Sequence, residues 1–121
     1  MKRKRETGFT LVELLIALFI LTVALLSISS MVYSVMMATE NSKETSAATT
    51  LMQDRMESLK NIPQASLNSG SDTVTRANIS YQRTWTVTRN PSTNNYQTIE
   101  VRVDWTNRGA HSVTMTTLRA D

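Results

Sequence analysis

Apolar positions are spread very unevenly along this chain. From residue 9 to residue 37 it reads FTLVELLIALFILTVALLSISSMVYSVMM, longer than the roughly 20 residues a helix needs to cross a hydrocarbon core of about 30 Å. Neither Gly nor Pro interrupts the run, and Ser27, Ser29 and Ser30 can return their hydroxyls to backbone carbonyls one turn earlier, so one continuous helix is expected. Further on, Ala48, Leu51, Met52, Met56 and Leu59 recur at spacings of three and four, with Glu44, Gln53, Asp54, Glu57 and Lys60 between them. That period predicts an amphipathic helix whose apolar face lies against a small sheet. Residues 39–44 are polar all round and read as a solvated, flexible turn of helix between the two halves. Pro63 and the run Asn68-Ser69-Gly70-Ser71-Asp72 end the helical pattern, which predicts one element of about 54 residues.

After Pro63 the period changes from helix to strand. Ile79, Tyr81, Trp85 and Val87 share one parity, as do Ile99, Val101, Val103 and Trp105, and a weaker third run covers residues 112–118. Turn signals at residues 90–95 and at Asn107-Arg108-Gly109 space these runs as two hairpins. The expected fold class is α+β, a long N-terminal helix on a three-stranded antiparallel C-terminal sheet. Arg83 has the inner parity, which that register reads as a sheet end or a subunit contact. The segments predicted are 1–8 as a basic leader, 9–37 as an apolar anchor, 38–62 as the amphipathic half and 63–121 as loop and sheet. At 121 residues the chain has room for one small domain.

Charge is concentrated at the start. Lys2, Arg3, Lys4 and Arg5 against Glu6 leave nine basic and nine acidic side chains in the rest of the chain, so the basic balance belongs to the leader. A positive block directly ahead of an apolar helix is the arrangement that sets membrane orientation. There is no cysteine, which excludes a disulfide framework, thiolate metal sites and a Cys nucleophile. The single His111 and the scattered Glu100, Asp104 and Asp121 form no triad and no metal cluster, and Asp72 with its neighbouring Ser and Asn is too sparse for a calcium loop. Neither a catalytic residue nor a cofactor is expected.

Glu13 stands out inside the apolar run. An acid within a membrane helix costs on the order of 2 to 3 kcal/mol, less near an interface, and is a functional hypothesis by default. Residues 2–18, KRKRETGFTLVELLIAL, resemble the leader and cleavage site shared by type IV pilins and type II secretion pseudopilins: a short basic leader ending in Gly8, an aromatic Phe9 directly after it, and Glu13 five residues into the mature chain. The resemblance implies cleavage between Gly8 and Phe9 by a prepilin peptidase and N-methylation of Phe9. It also implies a single pass through the inner membrane with the C-terminal domain in the periplasm, followed by incorporation into a pilus or pseudopilus. Glycine at the cut lets the backbone approach a protease closely, and cutting ahead of the apolar run keeps the anchor, whereas an ordinary secretory signal is cut after it. In a filament, Glu13 would meet the cationic N-terminus of a neighbouring Phe9, a pairing that selects register more than it adds stability.

Residues 50–60, TLMQDRMESLK, are similar to the second helix half of minor pilins of the PilV type and of the minor pseudopilin I of type II secretion. The absence of proline before Pro63, the short C-terminal part and the missing cysteines favour a minor subunit, and the presence of Glu13 argues against the tip pseudopilin K. The expected partners are prepilin peptidase, other pilin or pseudopilin subunits and the inner membrane. Two alternatives stay open. Arg76, Arg83, Arg89, Arg102, Arg108 and Arg119 interleave with Tyr81, Trp85 and Tyr96, which would make a nucleic-acid-binding or adhesive minor pilin if several project from one face. The other is a secreted domain with an ordinary signal peptide cut near Ser27-Ile28-Ser29.

Overall fold

A computed structural model describes residues 8–89 and 96–120; the leader residues 1–7, the expected turn at residues 90–95 and Asp121 lie outside the described residues. The chain divides into two compact units, Met1–Asn41 and Ser42–Asp121. One helix, α1 (Leu11–Lys60), runs through both, followed by a short 3-10 turn (Gln64–Ser66) and four strands: β1 (Gly70–Arg76), β2 (Ile79–Arg89), β3 (Tyr96–Thr106) and β4 (Ala110–Ala120).

In the first unit every residue of α1 from 11 to 36 is exposed. An 18-residue window of this helix reaches a mean hydropathy of 2.8, so by length and composition it can cross a membrane. Its hydroxyls are satisfied within the helix: Ser27 donates to the Val23 carbonyl at 2.9 Å, Ser29 to Leu25 at 2.9 Å and Ser30 to Ser27 at 2.8 Å. Thr22 and Ser34 do the same toward Phe19 and Ser30. In hydrocarbon these bonds remove the cost of an unpaired hydroxyl.

The second unit is built as the periodicity predicts. Ala48, Leu51, Met52, Met56 and Leu59 are all buried, while Gln53, Asp54, Glu57 and Lys60 are exposed. They pack on a face made by Tyr81 and Trp85 of β2 and Ile99, Val101, Val103 and Trp105 of β3, closed at one side by Leu67. Opposite parities carry a hydroxyl-rich outer face: Ser80, Thr84, Thr86 and Thr88 of β2 are exposed, as are Ser112, Thr114 and Thr116 of β4. Threonine suits a strand because its branched Cβ packs on a pleated surface.

The sheet has four strands in the order β1-β2-β3-β4, all antiparallel, one more than the three expected. The extra strand is β1, which takes in Gly70, Ser71 and Asp72 from the run read as loop. Its sequence GSDTVTR has one apolar residue, so hydropathy does not mark it. It forms because Ala77 and Asn78 both take positive φ, 49° and 63°, the backbone that closes a two-residue hairpin with the twist of its strands. Arg76 then sits opposite Ile79, and Gly70 opposite Trp85. A Cβ at Gly70 would lie 2.7 Å from Trp85 Cζ2, so glycine is what lets β1 pass that indole.

Three further expectations change. The helix is four residues shorter than expected, with Leu11 and Lys60 as its ends. Residues 39–44 are ordinary helix, with no pause between the halves. Glu44, read as a solvent-facing residue, is 7% exposed.

Candidate functional site

The head of the anchor is assembled from adjacent residues. Gly8 and Phe9 precede the helix, Phe9 is 86% exposed, and a Cβ built on Gly8 would meet nothing within 4 Å. The bond between them is therefore bare on the glycine side. Thr10 is the cap: its Oγ1 accepts the Glu13 amide at 3.2 Å, and its carbonyl accepts the first helical bond, from Leu14, also at 3.2 Å. Thr10-Leu11-Val12-Glu13 thus has the spacing of a capping box, in which a hydroxyl and an acid three residues apart serve the unpaired amides of a helix start. Glu13 also lies where the positive end of the helix dipole favours a carboxylate. It is exposed, so its charge is available to a cation approaching the first turn. Sequence reasoning named Gly8, Phe9 and Glu13 and did not name Thr10, although the T-x-x-E spacing was there to be read.

Polar groups in the second unit are arranged differently, several of them paired within the domain. Glu44 accepts hydrogen bonds from Trp105 Nε1 at 3.1 Å and from the Asn107 side-chain amide. His111, opposite Trp105 in the register, stacks on that indole with ring centroids 5.3 Å apart and an interplanar angle of 20°. Tyr81 touches the other side of Trp105 at 5.7 Å; burial, and secondarily the Glu44 charge, push its phenol above the ordinary value. The helix is thereby fixed to the β3–β4 turn by a carboxylate, an indole and an amide.

Arg83, the residue of awkward parity, proves to be an inner-face residue with its own counter-ion. Its Nε donates to Asp72 Oδ1 at 2.7 Å, its Nη2 reaches Oδ2, and its Nη1 donates to the Leu51 carbonyl at 3.4 Å. Hydrogen bonding from Arg83 holds the Asp72 carboxyl below its ordinary value, against an opposing contribution from burial. The Arg55 guanidinium carbon lies over the Trp85 ring, 3.7 Å from its centroid, a cation–π contact. At the far end of the sheet Arg119 donates to the carbonyls of Leu59 at 3.4 Å and Ile62 at 2.6 Å, capping the C-terminus of α1.

Of the six arginines of the nucleic-acid reading, three are engaged within the domain. Arg83 and Arg119 face the helix, Arg102 pairs with Asp104 at 2.8 Å on the opposite face, and Tyr81 and Trp85 are buried. Among the described residues no group of three or more His, Asp or Glu side chains stands close enough to hold a metal ion.

Residues 3–29 match a family model described as the prokaryotic N-terminal methylation motif. No curated protein and no solved structure matches the chain. The match covers the leader and the first part of the apolar helix and supports a type IV pilin-like protein. A leader of this kind implies processing by a prepilin peptidase and assembly with other pilins. With the apolar helix behind it, it fits membrane anchoring and incorporation into a pilus.

Proposed function

We propose that this chain is a minor structural subunit of a type IV pilus or type II secretion pseudopilus, of the PilV or pseudopilin I kind, and that it has no enzymatic activity. The prepilin peptidase cuts between Gly8 and Phe9 and methylates the new amino group of Phe9. The anchor holds the protein in the inner membrane, with the C-terminal domain in the periplasm, until assembly. The observation that carries this reading is the methylation-motif match over residues 3–29, with Gly8-Phe9 directly ahead of a helix whose apolar residues 11–36 are all exposed and whose first turn carries one acid, Glu13.

The chemistry of docking follows from that acid. In a bundle of packed anchors an unpaired carboxylate is costly, and the free N-terminus of a neighbouring Phe9 is a cation at the matching depth. Pairing fixes the axial register of one subunit on the next. Its contribution to net stability is small because both charges lose water.

Mass spectrometry of the membrane-bound protein tests the processing step. A chain starting at methylated Phe9 is expected; a fragment starting near Ser30 would instead establish an ordinary secreted domain. Incorporation of Glu13→Gln into filaments tests docking, and parent-like incorporation would sink that assignment.

A further inference from the structure

β4 is an edge strand. Its partner β3 pairs with it over an unbroken register from Tyr96↔Ala120 to Thr106↔Ala110, and no strand lies on its other side in the order β1-β2-β3-β4. About half of the backbone groups of such an eleven-residue strand point outward, a row of alternating donors and acceptors. Among the described residues no backbone bond ties that row to any other segment. Soluble proteins blunt free edges with Lys, Pro, bulges or shortness. The sequence AHSVTMTTLRA has no Lys or Pro, no acid, and no break in its register. The other edge, β1, is handled conventionally: it is seven residues long and carries Asp72 and Arg76.

Beside the free row runs a groove of about 390 Å³ lined by Gln53, Met56, Glu57 and Lys60 of the helix and Met115 of β4. A strand laid along β4 would direct every second side chain into this groove and the others toward Thr114 and Thr116 on the outer face. Leu118, 72% exposed, stands on that outer face near Tyr96, 50% exposed; they are the large apolar side chains the sheet leaves to solvent.

We infer that the β4 edge takes up an extended segment of a partner polypeptide as a fifth strand, aliphatic where it meets the Met56–Met115 groove and hydroxyl-bearing or small where it meets Thr114 and Thr116. Main-chain bonds supply the affinity and the groove supplies the selection, the division of labour of strand addition. Thr–Thr and Thr–Ser neighbours across an antiparallel pair are favourable, and none of these positions adds a repelling charge. The occupant is a single strand and not the sheet of a second copy. Continuing one sheet into another would take four further steps of about 20–25° and turn the neighbour's helix residues 42–60 by roughly 80–100° from this one, whereas a single strand needs only the free row and the groove beside it. This inference concerns the folded domain and does not depend on how the leader is processed.

The chain has no cysteine, so one introduced thiol reports one position. Full-length protein in detergent, carrying Thr116→Cys on β4 or Thr84→Cys on the interior strand β2, is mixed with the acetylated peptide Thr-Val-Cys-Val-Thr in a buffer containing oxidised glutathione, which takes up the two electrons released by each disulfide formed. Disulfide trapping on the order of tenfold or more faster at position 116 than at 84 is expected, from the raised local concentration of a docked strand. Equal rates overturn the inference. Two N-methylated peptides add a readout that simple exposure of residue 116 would not move. Methylating the valine amides and methylating the cysteine and flanking threonine amides block opposite edges of the peptide strand. One set should abolish the position-116 preference and the other should keep it; equal behaviour of both overturns strand addition. Rapid homodimerisation of Thr116→Cys without peptide would assign the edge to a second copy and refute the single-strand reading.

Discussion

Glu44→Ala removes the acceptor shared by the Trp105 indole and the Asn107 amide, and its cost follows from the geometry. Glu44 is 7% exposed and Trp105 4% exposed, so water does not replace the lost carboxylate freely at the indole. A hydrogen bond to a charged group contributes about 1.5–3 kcal/mol net, and a buried donor left without a partner costs about 1–3 kcal/mol. Opposing this, burying the carboxylate is itself unfavourable by several kcal/mol before its bonds are counted. The expected net destabilisation is about 2–4 kcal/mol. Glu44→Gln keeps the volume and one acceptor but points an NH2 group at one of two donors, for a loss of about 1–2 kcal/mol.

Both tryptophans, Trp85 and Trp105, lie in the Ser42–Asp121 unit, so their fluorescence during a urea titration of the full chain in mild detergent follows this unit. Glu44→Ala should lower the midpoint by about 1–3 M at the slope of a small domain. Glu57→Ala, an exposed acid of the same helix, should stay within about 0.5 kcal/mol of the parent. If Glu44→Ala also stays within that margin, the carboxylate is not what fixes the helix to the β3–β4 turn.

Gly70→Ala should destabilise the domain by about 1–3 kcal/mol, because its Cβ would meet Trp85 Cζ2 at 2.7 Å while the indole is tied to the Asn68 carbonyl; a parent-like urea midpoint would show that β1 yields at no cost. The Arg83 hydrogen bonds hold the folded-state pKa of Asp72 below its unfolded value, so its contribution is fully present above the unfolded value and is lost as pH falls through the folded one. Urea midpoints should therefore fall on acidification across that interval in the parent and fall less in Asp72→Asn. Thr10→Ala should cost the first turn about 1 kcal/mol, read as several-fold faster hydrogen exchange at the amides of Glu13 and Leu14 with the domain's urea midpoint unchanged.

Period and parity made most of the fold legible, since five helix positions and eight strand positions declared one buried face each, and all of them pack as their spacing requires. Hydropathy misled where a polar side chain on that face brings its own partner. Glu44 lies four residues before Ala48 and belongs to the inward stripe by position, yet its charge assigned it to solvent. Arg83 had the inward parity and looked like a flaw because its counter-ion, Asp72, lay in a segment read as loop. The misreading of Arg83 and the missed strand share a cause. An edge strand needs little burial, so β1 shows almost no apolar period, and without β1 the arginine has no visible mate. Only the left-handed pair Ala77 and Asn78 betrays the hairpin, and Ala-Asn is a weaker cue than Asn-Gly.

At the anchor head the difficulty is the reverse, since one residue satisfies two explanations. Glu13 stands at the capping-box spacing from Thr10, whose hydroxyl accepts its amide, and that spacing alone would account for an acid three residues into a helix. It also stands where a neighbouring subunit's N-terminus would need a counter-charge. Substitution to glutamine separates the two, because Gln at the third helical position still serves the capping box while removing the charge. A helix start that survives in Glu13→Gln together with failed incorporation into filaments assigns the acid to docking. Failure of Thr10→Ala to assemble, with Glu13 intact, would instead mean that an ordered first turn is what a neighbouring subunit recognises. The contrast between these variants carries more information than either alone, since Thr10→Ala removes a hydrogen bond within the chain and Glu13→Gln removes only a charge.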